Sequence, residues 1–148
     1  MNIIDALIGE HAALLTVLEH IEKFQAGWQL QQYHEACSLL ESLLATHAVL
    51  EDELLFDPIT PQSGHFATTL QTMNEDHHEL RHLVGDLKYS ETLPDARRLM
   101  NRLIEVTREH FAIEERVLFG LAAAILGAEK LQRLGDEWAA RRHLSFAV

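Results

Sequence analysis

Apolar residues recur along this chain at steps of three and four, and no segment alternates with the step of two expected of a half-buried strand. Four stripes emerge. The first reads Ile4, Leu7, His11, Leu14, Leu18, Ile21, and the second Leu40, Leu43, His47, Leu50, Leu54. The third reads Phe66, Leu70, Met73, His77, Leu80, Val84, Leu87, and the fourth Leu99, Leu103, Val106, His110, Ile113, Val117, Leu121. Such spacing marks the inward face of a helix. Gly27, the Pro/Gly-rich stretch 57–64, the break at 89–94 and Gly127 separate the periodic segments. The pattern predicts helices over 3–25, 30–56, 65–89 and 94–126, with a short fifth near 128–142. Ser63 or Gly64 is placed to cap the third, and Pro94 suits the first turn of the fourth. Short connections between long helices predict an all-α, up-down-up-down four-helix bundle with a short C-terminal fifth helix. With 148 residues the chain is expected to form one domain, 1–148.

Each stripe carries one histidine at a core-type position, and the other six (His20, His34, His65, His78, His82, His143) fall off the stripes. A lone histidine on such a stripe is ordinarily a satisfied core residue. Four at one depth are a different matter, and the depth can be read from the turns. In an antiparallel hairpin, facing residues are equidistant from the turn. His11 and His47 centre on position 29, beside Gly27; His77 and His110 centre between 93 and 94, at Pro94. Across the long loop, Glu51 and His77 centre on Gly64. All four histidines are thereby expected within about one helical turn, or 5.4 Å, of a common level.

Two of the stripes share a local pattern. Residues 47–56 read HAVLEDELLF and residues 110–119 read HFAIEERVLF: His, three residues, Glu, an acid, one residue, two aliphatics, Phe. Residues i and i+4 share a helix face, so each segment presents an imidazole and a carboxylate together.

Composition sharpens this picture. Ten histidines are roughly three times what a chain of this size ordinarily carries. The formal net charge of −11 argues against nucleic acid and against an anionic membrane surface as partners. The N-terminus lacks a basic region before its apolar residues, and the stretch 117–128 is too short to span a bilayer. The single cysteine, Cys37, forms no internal bridge; with no signal peptide read, a cytoplasmic location is expected.

His11, His47, Glu51, His77, His110 and Glu114 are thus predicted to converge. Without a counter-charge, two buried carboxylates repel and each carries a desolvation cost of several kcal/mol. No Lys or Arg lies on the inward stripes, so metal cations are the simplest counter-charge. The set lacks the cysteine usual in a closed structural zinc site. Six nitrogen and oxygen ligands on four helices suit two first-row ions, each with two histidines and bridged by both glutamates. Iron or manganese fits such ligands, and so does zinc. Six protein ligands leave positions open on both ions.

The pattern His11 in GEHAALL, His47 and Glu51 in HAVLEDE, His77 in EDHHELR, and His110 and Glu114 in HFAIEERVLF resembles the hemerythrin-like (HHE cation-binding) proteins over about residues 3–126. The resemblance implies an oxo- or hydroxo-bridged, non-haem di-iron centre that binds oxygen or nitric oxide, in carriage, sensing, iron handling or stress defence. Oxygen-carrying members place two ligand histidines four apart on the third helix; here the earlier position is Met73. They also carry His-x4-Asp on the last ligand helix, where this chain has His-x3-Glu with Glu115 next. These departures turn the expectation from simple oxygen carriage toward a small gas or oxidant, including peroxide, at an open centre. The expected role is that of a metal- and gas-binding protein more than of a classical enzyme.

Alternatives stand beside these readings. His78 and His82 form their own i,i+4 pair and compete with His77; Glu115 competes with Glu114. Asp52 and Glu115 are expected to face away or to accept from a ligand imidazole. Trp28 and Trp138 are expected to pack at helix ends. An oxygen carrier, a di-zinc hydrolase and a plain helical interaction module are the competing functions. The oligomeric state is open, and the tail after Gly127, ending at 144–148, could pack on the bundle or on a partner.

Overall fold

A computed structural model describes residues 1–144. Helix α1 (Ile3–Phe24) is started by Asn2, whose side-chain oxygen accepts from the Ile4 and Asp5 amides at 2.8 and 3.1 Å, while Asp5 accepts in return from the Asn2 amide. A 3-10 turn, Gln25–Gly27, leads to α2 (Leu30–Glu51). Helix α3 spans Ala67–Lys88 and α4 spans Leu93–Ile113, the latter capped by Thr92, whose hydroxyl accepts from the Asp95 amide, with Pro94 in its first turn. Helix α5 (Phe119–Arg141) is longer than the short fifth helix expected, but it breaks at the anticipated residue: Gly127 has φ +72° and ψ 164°, a backbone that only glycine adopts without strain.

Several features depart from the sequence reading. After Glu51 and again at Glu114 the helix widens into a π turn, Asp52–Phe56 and Glu114–Leu118. Such turns add a residue and tend to sit at functional sites. They also shift the buried stripe. Beyond His110 the fully buried positions are Glu114, Leu118 and Ala122, while Ile113, Val117 and Leu121 are only partly buried. Elsewhere Leu44 rather than Leu43 faces the core, Ile3 is buried where Ile4 is only partly so, and Phe66 is exposed. Neither Ser63 nor Gly64 caps α3: it follows a 3-10 turn, Gly64–Phe66, and the Ser63 hydroxyl donates to the Thr60 carbonyl at 2.9 Å instead.

The core falls into two apolar clusters. One holds Leu7, Leu54, Leu55, Met73, Leu118, Phe119 and Trp138; the other holds Leu14, Leu40, Leu80, Val84, Leu103 and Phe111. Relative to the stripe histidines, the first cluster takes residues before His11, after His47, before His77 and after His110. That alternation is what an up-down-up-down bundle produces. The polar layer lies between the clusters, four helices thick. Trp138 belongs to the first cluster, so the segment after Gly127 packs on the bundle; residues 145–148 lie outside the described residues.

Candidate metal centre

The stripes deliver His11 from α1, His47 and Glu51 from α2, His77 from α3 and His110 from α4, with Glu114 opening the second π turn. All six side chains are buried. Their inward atoms form two overlapping groups, each within 4.8 Å: His11, His47, Glu51 and Glu114, and Glu51, His77, His110 and Glu114. Both glutamates are common to the two groups, and each histidine belongs to one. His78 and His82 are exposed, and His78 Nδ1 meets Arg81 at 2.9 Å, so the competing pair points away.

The inward atoms crowd one another. His11 Nε2 stands 3.1 Å from His47 Nε2 and 3.4 Å from Glu114 Oε2; His110 Nε2 stands 2.7 Å from Glu114 Oε1; and His47 and His77 Nε2 each stand 3.7 Å from Glu51 Oε2. Among the described residues, all four carboxylate oxygens of Glu51 and Glu114, with Nε2 of His77 and of His110, have no hydrogen-bond partner. Buried acceptors left so are costly.

Outward, each imidazole faces an acid from a neighbouring helix. His11 Nδ1 donates to Glu115 Oε1 at 2.8 Å, His47 Nδ1 to Glu10 Oε2 at 2.7 Å and His110 Nδ1 to Asp76 Oδ2 at 3.3 Å. Asp52 Oδ1 lies 3.3 Å from His77 Nδ1, though off the line of a hydrogen bond. The arrangement closes on itself: α1 supplies the acid for the histidine of α2, the first π turn for α3, α3 for α4, and the second π turn for α1. An acid at Nδ1 favours the proton there, which leaves the Nε2 lone pair aimed inward. Asp52 and Glu115 were anticipated as acceptors. Glu10 and Asp76 were not, although a signal was present: an acid adjoins His11, Glu51, His77 and Glu114 in sequence.

The electrostatics agree with the geometry. Burial, reinforced by the neighbouring His47 and His110, pushes His11 down to about 2, which keeps it neutral. Burial and then the Glu114 carboxylate raise Glu51 well above the usual range. Burial lifts Glu114 to about 8, an effect that Glu51 partly offsets and that Asp52, Asp76 and Glu115 add to. Burial also raises Glu10, yet its bonds to His47 and Arg142 outweigh that and hold it low.

These residues fit a pair of cations. Neutral imidazoles whose Nε2 lone pairs face each other 3.1 Å apart repel unless one cation accepts both lone pairs. Two carboxylates shared by both groups match a bridged pair of ions, and their unpartnered oxygens are suited to ligate cations. A cleft of about 320 Å³ leads to the layer; it reaches His47, His77 and His110 between walls that include Leu44, Ala45, Ala48, Leu80, Val84 and Phe111. Arg81, Glu41 and Asp52 also line it.

Among known families, the model described as the hemerythrin HHE cation binding domain matches residues 2–122 and, a second time, residues 68–140. The second match begins within α3, where the second His-Glu segment and its preceding helix take over. No curated protein and no solved structure matches. With a match over most of its length, on a helical bundle whose four helices converge in buried histidines and glutamates, the chain belongs to the hemerythrin HHE cation-binding domain family.

Proposed function

We propose that this chain, acting as one domain, binds two iron ions, one held by His11 and His47, the other by His77 and His110, with Glu51 and Glu114 bridging them. The observation that carries this reading is the pair of buried glutamates, unpartnered at every oxygen among the described residues and common to both ligand groups. An iron pair there supplies open positions for a small gas or oxidant, which suits sensing, iron handling or stress defence. The chain's own residues set the terms. The acids at Nδ1 hold the imidazoles in the ligating tautomer, and the cleft walls admit small apolar molecules while limiting water. Met73 is fully buried in the apolar cluster and brings no ligand nitrogen to its level, which leaves two histidines for each ion. A reducing compartment such as the cytoplasm suits both iron supply and the lone, buried Cys37.

The test is direct. The untagged chain is purified, its metals are quantified, and visible spectra are recorded in air and after reduction. Two irons per chain, with absorption bands in air that bleach on reduction, support the reading. Zinc alone would favour metal-assisted hydrolysis, and absence of metal after reconstitution with Fe(II) would overturn the reading.

A further inference from the structure

The acids outside the histidines are not held alike. Asp52, Asp76 and Glu115 each face one imidazole, and among the described residues no other ion pair or hydrogen bond fixes their side chains. Glu10 is different. While its Oε2 accepts from His47, its Oε1 accepts from the Trp138 indole N–H at 3.0 Å and from Arg142 Nε at 2.6 Å. Glu10 is 14 % exposed, against 38 % for Asp52 and 39 % for Glu115, so these bonds are little diluted by water.

Both extra donors come from beyond Gly127, 128 and 132 positions along the chain from Glu10. Two glycines bring them there. Gly127 breaks the helix with φ +72°, and Gly135 lets α5 lie directly on the start of the chain: a Cβ at Gly135 would sit 2.3 Å from the Met1 carbonyl oxygen and 2.8 Å from the Asn2 carbonyl carbon. Positions 135, 138 and 142 follow steps of three and four, hence one helix face.

We infer that the segment after Gly127 is a brace for one half of the metal centre: Trp138 and Arg142 fix Glu10, and Glu10 fixes the His47 ring with Nε2 aimed at the ion shared with His11. Trp138 and Arg142 are positioning residues, acting through Glu10. This inference rests on the two-metal reading above. It makes the two positions unequal. Around His11 and His47 the outer contacts are 2.8 and 2.7 Å, and one is braced; around His77 and His110 both are 3.3 Å and neither is. The His11/His47 position therefore keeps its ion longer.

The experiment compares the full chain with a Trp138→Phe/Arg142→Met variant, each loaded anaerobically with Fe(II) and exposed to a chelator. The wild type releases its iron in two phases. In the variant the slow phase accelerates by up to about 10-fold, the low end of the effect of losing the outer partner itself, and the fast phase is unchanged. A second readout needs no metal. In the metal-free chain, exchange of the His47 ring N–H with solvent, followed by nitrogen-labelled histidine NMR, accelerates in the variant, while that of His110 does not. Restoring the cation as Arg142→Lys beside Trp138→Phe recovers part of both effects. A wild type that takes up no Fe(II) overturns the metal reading and leaves the His47 exchange measurement to judge the brace. A loaded variant with unchanged release, or with both phases accelerated alike and both N–H groups exchanging faster, overturns the brace alone.

Discussion

Residues 47–56 and 110–119 hold the same chemistry in different surroundings. They are 63 positions apart, each presents a His and a Glu to the buried layer, and each passes into a π turn. They differ at the residue after the histidine. In the first it is Ala48, beside the cleft. In the second it is Phe111, 2 % exposed, whose ring stacks on His11 with centroids 3.8 Å apart and planes 9° from parallel. They differ again two residues after the glutamate: Glu53 pairs with Arg141 of α5, whereas Arg116 turns back to the Ala112 carbonyl of its own helix. What the copies share is ligation. Where they part, one leaves room for access and the other fills space.

If the shared part is ligation, the glutamates matter more than any histidine, because both belong to both groups. Glu51→Ala and Glu114→Ala are each expected to abolish binding of both ions. His47→Ala and His110→Ala each remove a ligand from one group only, and about half the metal should remain. Metal analysis after dialysis decides this. Equal losses from a glutamate and a histidine variant would break the symmetry argued for the two segments.

The divergent position yields the next effects. Phe111→Ala removes a buried ring that supports His11 and should cost about 3–5 kcal/mol of stability, as phenylalanine truncations in a core do. Thermal or denaturant unfolding of the metal-free chain measures it. Ala48→Phe makes the first copy resemble the second. It should leave metal content unchanged and slow the binding of nitric oxide to the reduced, loaded chain by about tenfold, equivalent to about 1.4 kcal/mol on the barrier. A rate that does not change in stopped-flow measurements would show that the cleft is not the route.

Much of this was legible because it is periodic. The stripes located the helices, and the turn midpoints brought the six residues of the layer to one level; the structure gathers those six into two groups. What the stripes missed has physical causes. A π turn depends on which carbonyl an amide reaches, and no residue type in DELLF or EERVL announces it, so the buried face beyond His110 was displaced to Leu118 and Ala122. Leu43 and Leu44 are equally apolar, and only packing chooses between them. Glu10 and Asp76 were readable as neighbours of ligands, but their targets lie on other helices. Trp138 packs at a helix end as expected, yet its indole bond to Glu10 joins residues 128 positions apart, a distance that no local pattern encodes.

The pH dependence of the metal-free chain tests whether the two glutamates really share one charge problem. In the metal-free chain burial pushes Glu114 up to about 8 and raises Glu51 as well, against 4.5 for an unperturbed glutamate. Between these limits the folded chain holds protons that the unfolded chain has lost, so stability falls as pH rises, by at most about 1.4 kcal/mol per pH unit for each group. His11 acts in the opposite sense. It is lowered from 6.5 to about 2, so the unfolded chain binds its proton first and stability falls as pH drops below 6.5. From pH 4.5 to 6.5 the two effects compete; from 6.5 to 8 the glutamates act alone. The melting temperature of the metal-free chain should therefore decline from pH 6.5 to 8, and Glu114→Gln should flatten that decline. Bound cations displace the same protons, so in the loaded chain the decline should vanish. A metal-free melting temperature that holds constant or rises across this window would mean that Glu51 and Glu114 are not coupled in one dry layer, and the case for their bridging two ions would fall with it.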